Sequence, residues 1–383
     1  MGPLDGIRVV EFSHELCAWA AKLMADLGAD VIVIEPPGGS VQRTYGPFAD
    51  DEPGQENSLW WWCYNTSKRS VVLADDDPRV DSLVASADVV IAGRPLERTR
   101  WAASNARLVS VSVLGPELLT DLTLLAAGGP VAMCGYDDHS LPPVRGGGNQ
   151  GYHTASHWAM MSTLVALLER EVSGEGQHID VSALAACNIT TEVGTYGYLA
   201  AGVVSERQTG RHASPVPSMA TQMECADGRH VNLGLIARRG AEYTTMLAWL
   251  DDLGLREEFP LTAFLEMGTG YDVITGAMIA EDPIVMEIAG AAREAQAFVA
   301  AKISAYDYFV SSQRRGLTSG VIYAPEEVLT DPHFQARGWP TDVEHPERGR
   351  TYVYPGQPYR LTGTPWQIRH RAPLLGEHQS IVG

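Results

Sequence analysis

Two histidines four residues apart, His153 and His157, follow Tyr152 in the stretch GGGNQGYHTASH. This spacing can place two metal ligands on one face of a helix, but no third ligand with a recognisable spacing lies nearby. The stretch therefore favours a polar helix face that lines a cleft, and no metal is expected. The chain also contains no P-loop, GxGxxG, HExxH or GxSxG pattern, so common catalytic motifs do not assign its chemistry.

Composition narrows the class of protein. The 383 residues are 45% hydrophobic and 20% charged, which fits a folded protein with a sizeable core and excludes a disordered one. The 28 basic and 47 acidic residues give a net charge of −19, which disfavours nucleic acid as a partner. There is no apolar run long enough for a membrane span and no secretory signal, so the expected location is the cytoplasm. The five cysteines show no CxxC pair, which indicates small buried residues in a reducing compartment.

The first forty residues predict a strand, a helix and a second strand, at 7–12, 18–27 and 31–34. The run VIVI is continuous and apolar, which is typical of a parallel strand buried on both faces. The pattern continues with strands at 70–73, 88–91, 108–113 and 178–181 and helices at 80–86 and 158–171. We therefore predict an α/β fold built on an open, largely parallel sheet.

A change in composition divides the chain. Residues 200–217 are rich in Gly, Ser and Pro and predict a linker. Residues 221–315 combine a hairpin-like segment with helices rich in Met, Ala and Glu, which indicates a smaller α+β domain. After Pro325 a helix and a Pro- and Gly-rich tail with β character are expected.

Several segments resemble the class III CoA-transferase family, which includes formyl-CoA, carnitine and benzylsuccinate CoA-transferases and the α-methylacyl-CoA racemases. The opening PLDGIRVVEF, the stretch MADLGADVIVIEPPGG and the segment NTSKRSVVL carry this resemblance at the N-terminal end. Further segments follow in order, namely ADVVIAGRPLER, LPPVR, SGEGQHIDVS, DPHFQARGW and TGTPWQIRHRAPLLGEH. Each segment is moderately specific, and their shared order over nearly the whole chain is highly specific.

This resemblance implies a Rossmann-like large domain formed by residues 1–200 and 325–383, plus a small domain at 221–315. It also implies a dimer in which two subunits interlock like linked rings. Coenzyme A, carried as an acyl-CoA substrate, would lie on the large domain, and a carboxylic acid would be the second substrate.

The resemblance also places a CoA site. Leu73, Ala74, Asp75 and Asp76 match the family stretch that lines the adenine end. Ala92, Gly93 and Arg94 stand where the family has Asn-Phe-Arg, so only the arginine is kept, and Arg98 matches a family arginine near the CoA phosphates. A guanidinium group suits phosphate oxygens.

The family pattern breaks at its nucleophile. The family's transferases use an aspartate carboxylate that attacks the acyl-CoA thioester, and only an acyl group on the enzyme can accept CoA. Tyr152 falls on that position without a gap, beside His153. A phenol with a pKa near 10 is a poor substitute nucleophile. The Glu15 carboxylate and the Cys17 thiolate are candidate substitutes. Racemase acid–base positions are also changed, to Thr120, Tyr152 and Ala237.

Three functions stay open at this point. The leading hypothesis is that the chain is the Asp-less partner of a heteromeric CoA-transferase, which moves CoA from a donor such as succinyl-CoA to a carboxylic acid. Its partner would be a homologous Asp-bearing subunit, or a second copy of itself. An alternative is a stand-alone isomerase or lyase of acyl-CoA that uses Tyr152 and His153 for acid–base chemistry. The third is a non-catalytic acyl-CoA-binding protein.

Overall fold

The computed structural model describes residues 1–97, 99–233 and 237–383, and these divide into two compact units. The first unit comprises residues 1–135, 139–205 and 329–383, so both ends of the chain belong to it. The second comprises residues 136–138 and 206–328.

The first unit is built on a six-stranded parallel sheet in the order β3-β2-β1-β4-β5-β6. Its strands are β1 (Arg8–Phe12), β2 (Asp30–Glu35), β3 (Arg69–Val72), β4 (Val89–Ala92), β5 (Val109–Leu114) and β6 (His178–Ser182). Val10 pairs with Ile32 on one side and with Val90 on the other, and all three side chains are fully buried. The strand order reverses between β1 and β4, and α/β sheets bind ligands at the carboxyl ends of the strands at such a reversal.

Seven helices accompany the sheet in the described part of this unit before residue 205. They are α1 (Glu15–Asp26), α2 (Leu59–Tyr64), α3 (Pro78–Ala85), α4 (Asp121–Gly128), α5 (Gln150–Ser173), α6 (Ala183–Ile189) and α7 (Val193–Ala201). The apolar stripe predicted α5 only from residue 158, but the helix begins at Gln150. The missed residues are polar or small and contain a glycine, so they carry no apolar periodicity.

The second unit has its own core. It contains a three-stranded antiparallel sheet and five helices within its described residues. These elements are β7 (Gln222–Glu224), β8 (His230–Leu233), α8 (Gly240–Asp252), α9 (Thr262–Gly268), α10 (Gly276–Glu281), α11 (Pro283–Ala300), α12 (Ala305–Arg314) and β9 (Ser319–Val321). Trp249 and Tyr308 are buried at the centre of this core, with ring centroids 5.0 Å apart.

The C-terminal segment returns to the first unit. It forms α13 (Pro332–Arg337) and an antiparallel hairpin of β10 (Pro340–His345) and β11 (Arg350–Pro355). Val343 and Tyr354 from this hairpin pack with Trp61, Trp62 and the sheet residue Val33. None of the helices in the described ranges is both long and apolar enough to span a membrane.

Candidate active site

A cavity of about 530 Å³ lies at the carboxyl ends of β1, β4 and β5. Its walls comprise His14, Glu15 and Leu16, then Gly93, Arg94 and Pro95, and the loop of residues 114–119. The three segments follow directly on the three strands, and the strand order reverses between two of them. The volume falls in the range of small-molecule sites, so the sheet positions this cavity where a ligand is expected.

His14 and Gly93 approach closely in the cavity wall. A Cβ atom on Gly93 would lie 2.1 Å from His14 Nδ1, so no larger residue fits unless the imidazole moves. The same Nδ1 accepts a hydrogen bond of 3.2 Å from the backbone N–H of Leu16, where His14 caps α1. Burial lowers the pKa of His14, which keeps the imidazole neutral and able to accept this bond.

Glu15, the first residue of α1, brings a carboxylate to the cavity. Its side chain is only 12% exposed. Glu15 Oε1 accepts a hydrogen bond of 2.5 Å from the hydroxyl of Tyr45, and Oε2 lies 3.7 Å from His14 Nδ1. Burial and the hydrogen bond to Glu15 raise the pKa of Tyr45, so its hydroxyl stays protonated and can donate.

A buried ion pair fixes the loop that carries Tyr45. Arg43 Nε lies 2.7 Å from Glu35 Oε2, and the guanidinium group stacks 3.8 Å above the Trp61 ring. Arg43 Nη2 also donates to the carbonyl oxygen of Pro373, at 3.0 Å. Ser58 Oγ donates to the Tyr45 carbonyl oxygen at 2.6 Å. These contacts hold the backbone on both sides of the tyrosine.

The first turn of α5 carries Tyr152, and Asp121 caps it. Asp121 Oδ1 accepts hydrogen bonds from the backbone N–H groups of Gly151 and Tyr152, at 2.8 and 3.2 Å. Its Oδ2 pairs with Arg145 at 2.7 Å. The Tyr152 side chain is 8% exposed and packs in the apolar core. Burial, with the charges of Glu15 and Asp121, raises its pKa to about 12, so the phenol is neutral near pH 7.

His153, the next residue along α5, lies in an aromatic cluster with Trp19 and Tyr64. Its ring stacks on Trp19 with centroids 4.5 Å apart, and its Nε2 lies 2.6 Å from the Tyr64 hydroxyl. Burial, with a smaller effect of His157, lowers the pKa of His153 to about 4. His157 Nε2 accepts from Trp19 Nε1 at 3.2 Å. No hydrogen bond joins the described side chains of Tyr152 and His153, which leave the helix about 100° apart.

A second buried ion pair, between Lys68 and Glu11, lies next to the segment that carries His14 and Glu15. Lys68 Nζ is 2.8 Å from Glu11 Oε2, and both side chains are 0% exposed. Lys68 also donates to the Ala18 carbonyl oxygen at 2.9 Å and to Asn65 Oδ1 at 3.0 Å. Burial raises the pKa of Glu11 and lowers that of Lys68, while each partner's charge opposes the shift. Through these contacts Lys68, which directly precedes β3, connects β1 with α1 next to the cavity residues His14 and Glu15.

The residues assigned to CoA occupy neighbouring strand ends. Arg94 Nη2 pairs with Asp75 Oδ2 at 2.8 Å, and its guanidinium group lies 4.7 Å from the centre of the Phe12 ring. Leu73 is buried, whereas Asp75 and Asp76 are exposed. Ala92 is the last residue of β4, and Gly93 lines the cavity, so these two positions lie at the carboxyl end of β4. Arg98 lies outside the described residues. The assignment of these residues to CoA stays a prediction.

Sequence reasoning missed several of these contacts. Tyr45 and Asp121 contact residues that lie 30 and 31 positions away in the chain, and no motif connects the partners. Capping residues usually precede their helix directly, so a distant aspartate gives no local signal. Cys17, a candidate nucleophile, is buried with Sγ facing the Phe12 and His14 carbonyl oxygens. Burial raises its pKa well above the usual value, so a reactive thiolate is disfavoured.

One protein-family profile and several named CoA-transferases match most of the chain. The profile of a family described as CoA-transferase family III matches residues 4–260 and 287–379. The chain is 28% identical over 400 residues to the succinyl-CoA:(R)-benzylsuccinate CoA-transferase subunit BbsE of Thauera aromatica, covering 97% of this chain and 91% of that one. It is also 28% identical over 406 residues to a succinate–glutarate CoA-transferase of Agrobacterium fabrum, covering 99% and 94%.

The fold is shared with solved structures as well. The crystal structure of a CAIB/BAIF family protein from Brucella suis superposes with a TM-score of 0.75 at 24% identity, covering 100% of this chain and 98% of that one. At this level of identity the match describes the fold alone.

Proposed function

Since the chain belongs to CoA-transferase family III, we propose that it is a subunit of an enzyme that moves CoA from an acyl-CoA donor to a carboxylic acid. Succinyl-CoA is the proposed donor, because relatives named for succinyl-CoA or succinate transfer match the chain almost end to end. The proposed compartment is the cytoplasm, where acyl-CoA thioesters are available.

The cavity is the proposed site of thioester chemistry. Leu73, Ala74, Asp75, Asp76, Ala92, Gly93, Arg94 and Arg98 are the proposed CoA-binding residues. Arg94 forms an ion pair with Asp75, which is exposed to solvent. Because an exposed ion pair contributes little stability, breaking it so that Arg94 can bind a CoA phosphate costs little free energy. Gly93 adds no side chain of its own to the cavity wall, where the His14 imidazole packs against its backbone.

We further propose that the chain is the Asp-less partner of a heteromeric transferase. The observation that supports this most directly is the buried, neutral phenol of Tyr152, the residue that the sequence resemblance assigns to the family's aspartate position. A phenol has no acyl carbon, so it cannot hold CoA as an enzyme thioester. The relative from Thauera aromatica is itself named as a subunit.

An exposed apolar stripe along α5 also supports a partner chain. Five apolar residues at spacings of three and four are between 40% and 91% exposed, namely Trp158, Met161, Val165, Leu168 and Val172. This spacing puts them on one face of the helix. A contiguous apolar face in contact with water is typical of an interaction surface. A homologous subunit is the proposed occupant.

The native composition of the complex tests this proposal. The chain is tagged at its own locus, purified from its source and analysed by native mass spectrometry. We expect a second, homologous chain in a one-to-one ratio, with an aspartate where this chain has Tyr152. A homodimer without another homologue would contradict the heteromeric arrangement and leave the family chemistry to be carried by this chain alone.

The second candidate function is acid–base chemistry on an acyl-CoA by a stand-alone enzyme. It is favoured by the neutral phenol of Tyr152, which can donate a proton or a hydrogen bond next to the charge of Glu15. This candidate predicts that Tyr152→Phe abolishes turnover of an acyl-CoA panel by the purified chain. The affinity for CoA, measured by calorimetry, should stay within about twofold of wild type, which corresponds to about 0.4 kcal/mol of binding free energy. Turnover that survives the substitution would exclude a proton-donating role for Tyr152. If neither form turns over any acyl-CoA but both bind CoA, the result favours a non-catalytic binding protein.

A further inference from the structure

Transfer of CoA through the enzyme requires a carboxylate inside the site. The thioester acyl group and the CoA thiolate must each be held in turn, and a carboxylate can do both, first as an anhydride and then as a thioester. Tyr152 does not offer this group, and the Cys17 thiol is buried against backbone carbonyl oxygens. For this chain to take up CoA itself, the carboxylate has to come from elsewhere in the cavity wall.

Two carboxylates line the cavity, Glu15 and Glu117. Glu117 lies on the loop after β5 and is exposed to solvent. Glu15 lies in the first turn of α1, 12% exposed, where the residue before it is the helix cap. A largely desolvated carboxylate reacts in a fixed orientation, whereas a mobile exposed one does not. The geometry of the cavity therefore favours Glu15.

The contacts of Glu15 leave one oxygen available. Oε1 accepts the 2.5 Å hydrogen bond from Tyr45, whose loop is fixed by the Arg43–Glu35 ion pair. Oε2 lies 3.7 Å from His14 Nδ1, which is beyond hydrogen-bond range. Tyr45 thus anchors one oxygen of Glu15, and the residue lines the cavity together with Gly93 and Arg94.

We propose that Glu15 is the carboxylate through which this chain takes up CoA. The inference rests on the proposed transferase function but not on the presence of a partner subunit. Glu15 Oε2 attacks the thioester carbonyl carbon, the C–S bond breaks, CoA leaves as a thiolate, and a mixed anhydride of Glu15 and the donor acid forms. The thiolate then attacks the Glu15 carbonyl carbon of the anhydride and releases the donor acid as its carboxylate. The product is a glutamyl-CoA thioester, and no oxidant or reductant is consumed.

The return half-reaction uses the same atoms. The acceptor carboxylate attacks the glutamyl thioester carbonyl, displaces the CoA thiolate and forms a second anhydride. The thiolate then attacks the acceptor's acyl carbon, which yields the new acyl-CoA and restores the Glu15 carboxylate.

The experiment looks for the glutamyl-CoA thioester itself. The protein, purified with any chain that accompanies it, is incubated with succinyl-CoA, quenched in acid, digested and analysed by tandem mass spectrometry. We expect a peptide containing Glu15 that has gained CoA less one water, and hydroxylamine should release the CoA as a thiol and leave a hydroxamate on Glu15. Glu15→Gln should abolish the adduct, because the amide oxygen is not a competent nucleophile.

Two further variants serve as controls. Glu117→Gln removes the other carboxylate of the cavity wall and should leave the adduct on Glu15. Glu171→Gln changes an exposed residue near the far end of α5, where its pair with Arg107 is exposed on both sides. Calorimetric titration with CoA alone shows whether each variant still binds, so a folding defect in Glu15→Gln is separated from loss of the nucleophile.

The outcomes separate the inference from the function on which it rests. An adduct on Glu15 supports the proposal. Binding of CoA with the adduct on Glu117, on an accompanying chain or on no residue at all overturns the role of Glu15 and leaves the transferase function standing. Absence of CoA binding by the wild-type protein contradicts both. If Glu15→Gln does not fold, the position of the adduct in the wild-type protein decides the question.

Discussion

Replacing Lys68 by Met is expected to lower the free energy of unfolding by about 3 to 5 kcal/mol, as is usual when one partner of a buried ion pair is removed. Glu11 would keep a charge at a fully buried position without its counterion. The Ala18 carbonyl oxygen and Asn65 Oδ1 would each lose a donor as well. Urea unfolding of the variant and the wild-type protein measures the difference.

The pH dependence of this loss gives a sharper test. Burial already raises the pKa of Glu11 in the wild-type protein, although Lys68 opposes the shift. Without Lys68 the folded-state pKa rises further above its unfolded value, so the folded variant gains stability from proton binding as the pH falls through that pKa. The difference from wild type should therefore be smaller at pH 5 than at pH 8. A difference that stays constant between these values would contradict this explanation.

A double variant provides the control. Glu11→Gln combined with Lys68→Met removes both charges together. Because neither partner is then left charged and buried, we expect most of the lost stability to return. If the double variant is as unstable as Lys68→Met alone, the lysine acts through its hydrogen bonds to Ala18 and Asn65 and not through the charge of Glu11.

Replacing Asp121 by Ala is expected to cost about 2 kcal/mol, at the upper end of values for lost helix caps. The change leaves the N–H groups of Gly151 and Tyr152 without their acceptor and removes the ion-pair partner of Arg145. The first turn of α5 should open more often, and this turn carries Tyr152. Urea unfolding gives the stability, and amide hydrogen exchange at Gly151 and Tyr152 locates the change.

Asp121→Asn is the matched control for the cap. It keeps an oxygen acceptor for the two N–H groups but loses the charge that pairs with Arg145. The Arg145 side chain is 34% exposed and keeps its hydrogen bond to the Gly148 carbonyl oxygen, so loss of the ion pair should cost less than loss of the cap. We therefore expect Asn to cost less than half as much as Ala. Equal losses in the two variants would show that the ion pair, and not the cap, fixes this turn.

The parallel sheet was largely predictable from the sequence. Strands such as the one at 31–34 are buried on both faces, so they form continuous apolar runs that the sequence displays directly. The observed strand β2 differs from the prediction by one residue at each end. The start of α5 was not predictable, because its polar first turns are fixed by Asp121, which lies in another helix.

The candidate site was predictable only in part. The resemblance placed Tyr152 at the aspartate position, and the residues showed Glu15 and Cys17 as possible substitutes. Nothing in the sequence distinguished the two, since the difference lies in three-dimensional contacts: the thiol faces backbone carbonyl oxygens, whereas the carboxylate faces the cavity and Tyr45. Such contacts depend on packing between distant segments, which single-sequence patterns do not encode.

The hydrogen bond from Arg43 to Pro373 has a consequence for synthesis of the chain. The two residues are 330 positions apart, yet this bond helps to fix the loop that carries Tyr45. At ribosomal rates of about 5 to 20 residues per second, Pro373 is synthesised roughly 15 to 65 s after Arg43. The sheet strands β1 to β5 can pair during this interval. The loop of Tyr45, whose hydroxyl contacts Glu15, therefore gains its contact with Pro373 much later than the cavity-lining segments, all of which lie before residue 120, are synthesised.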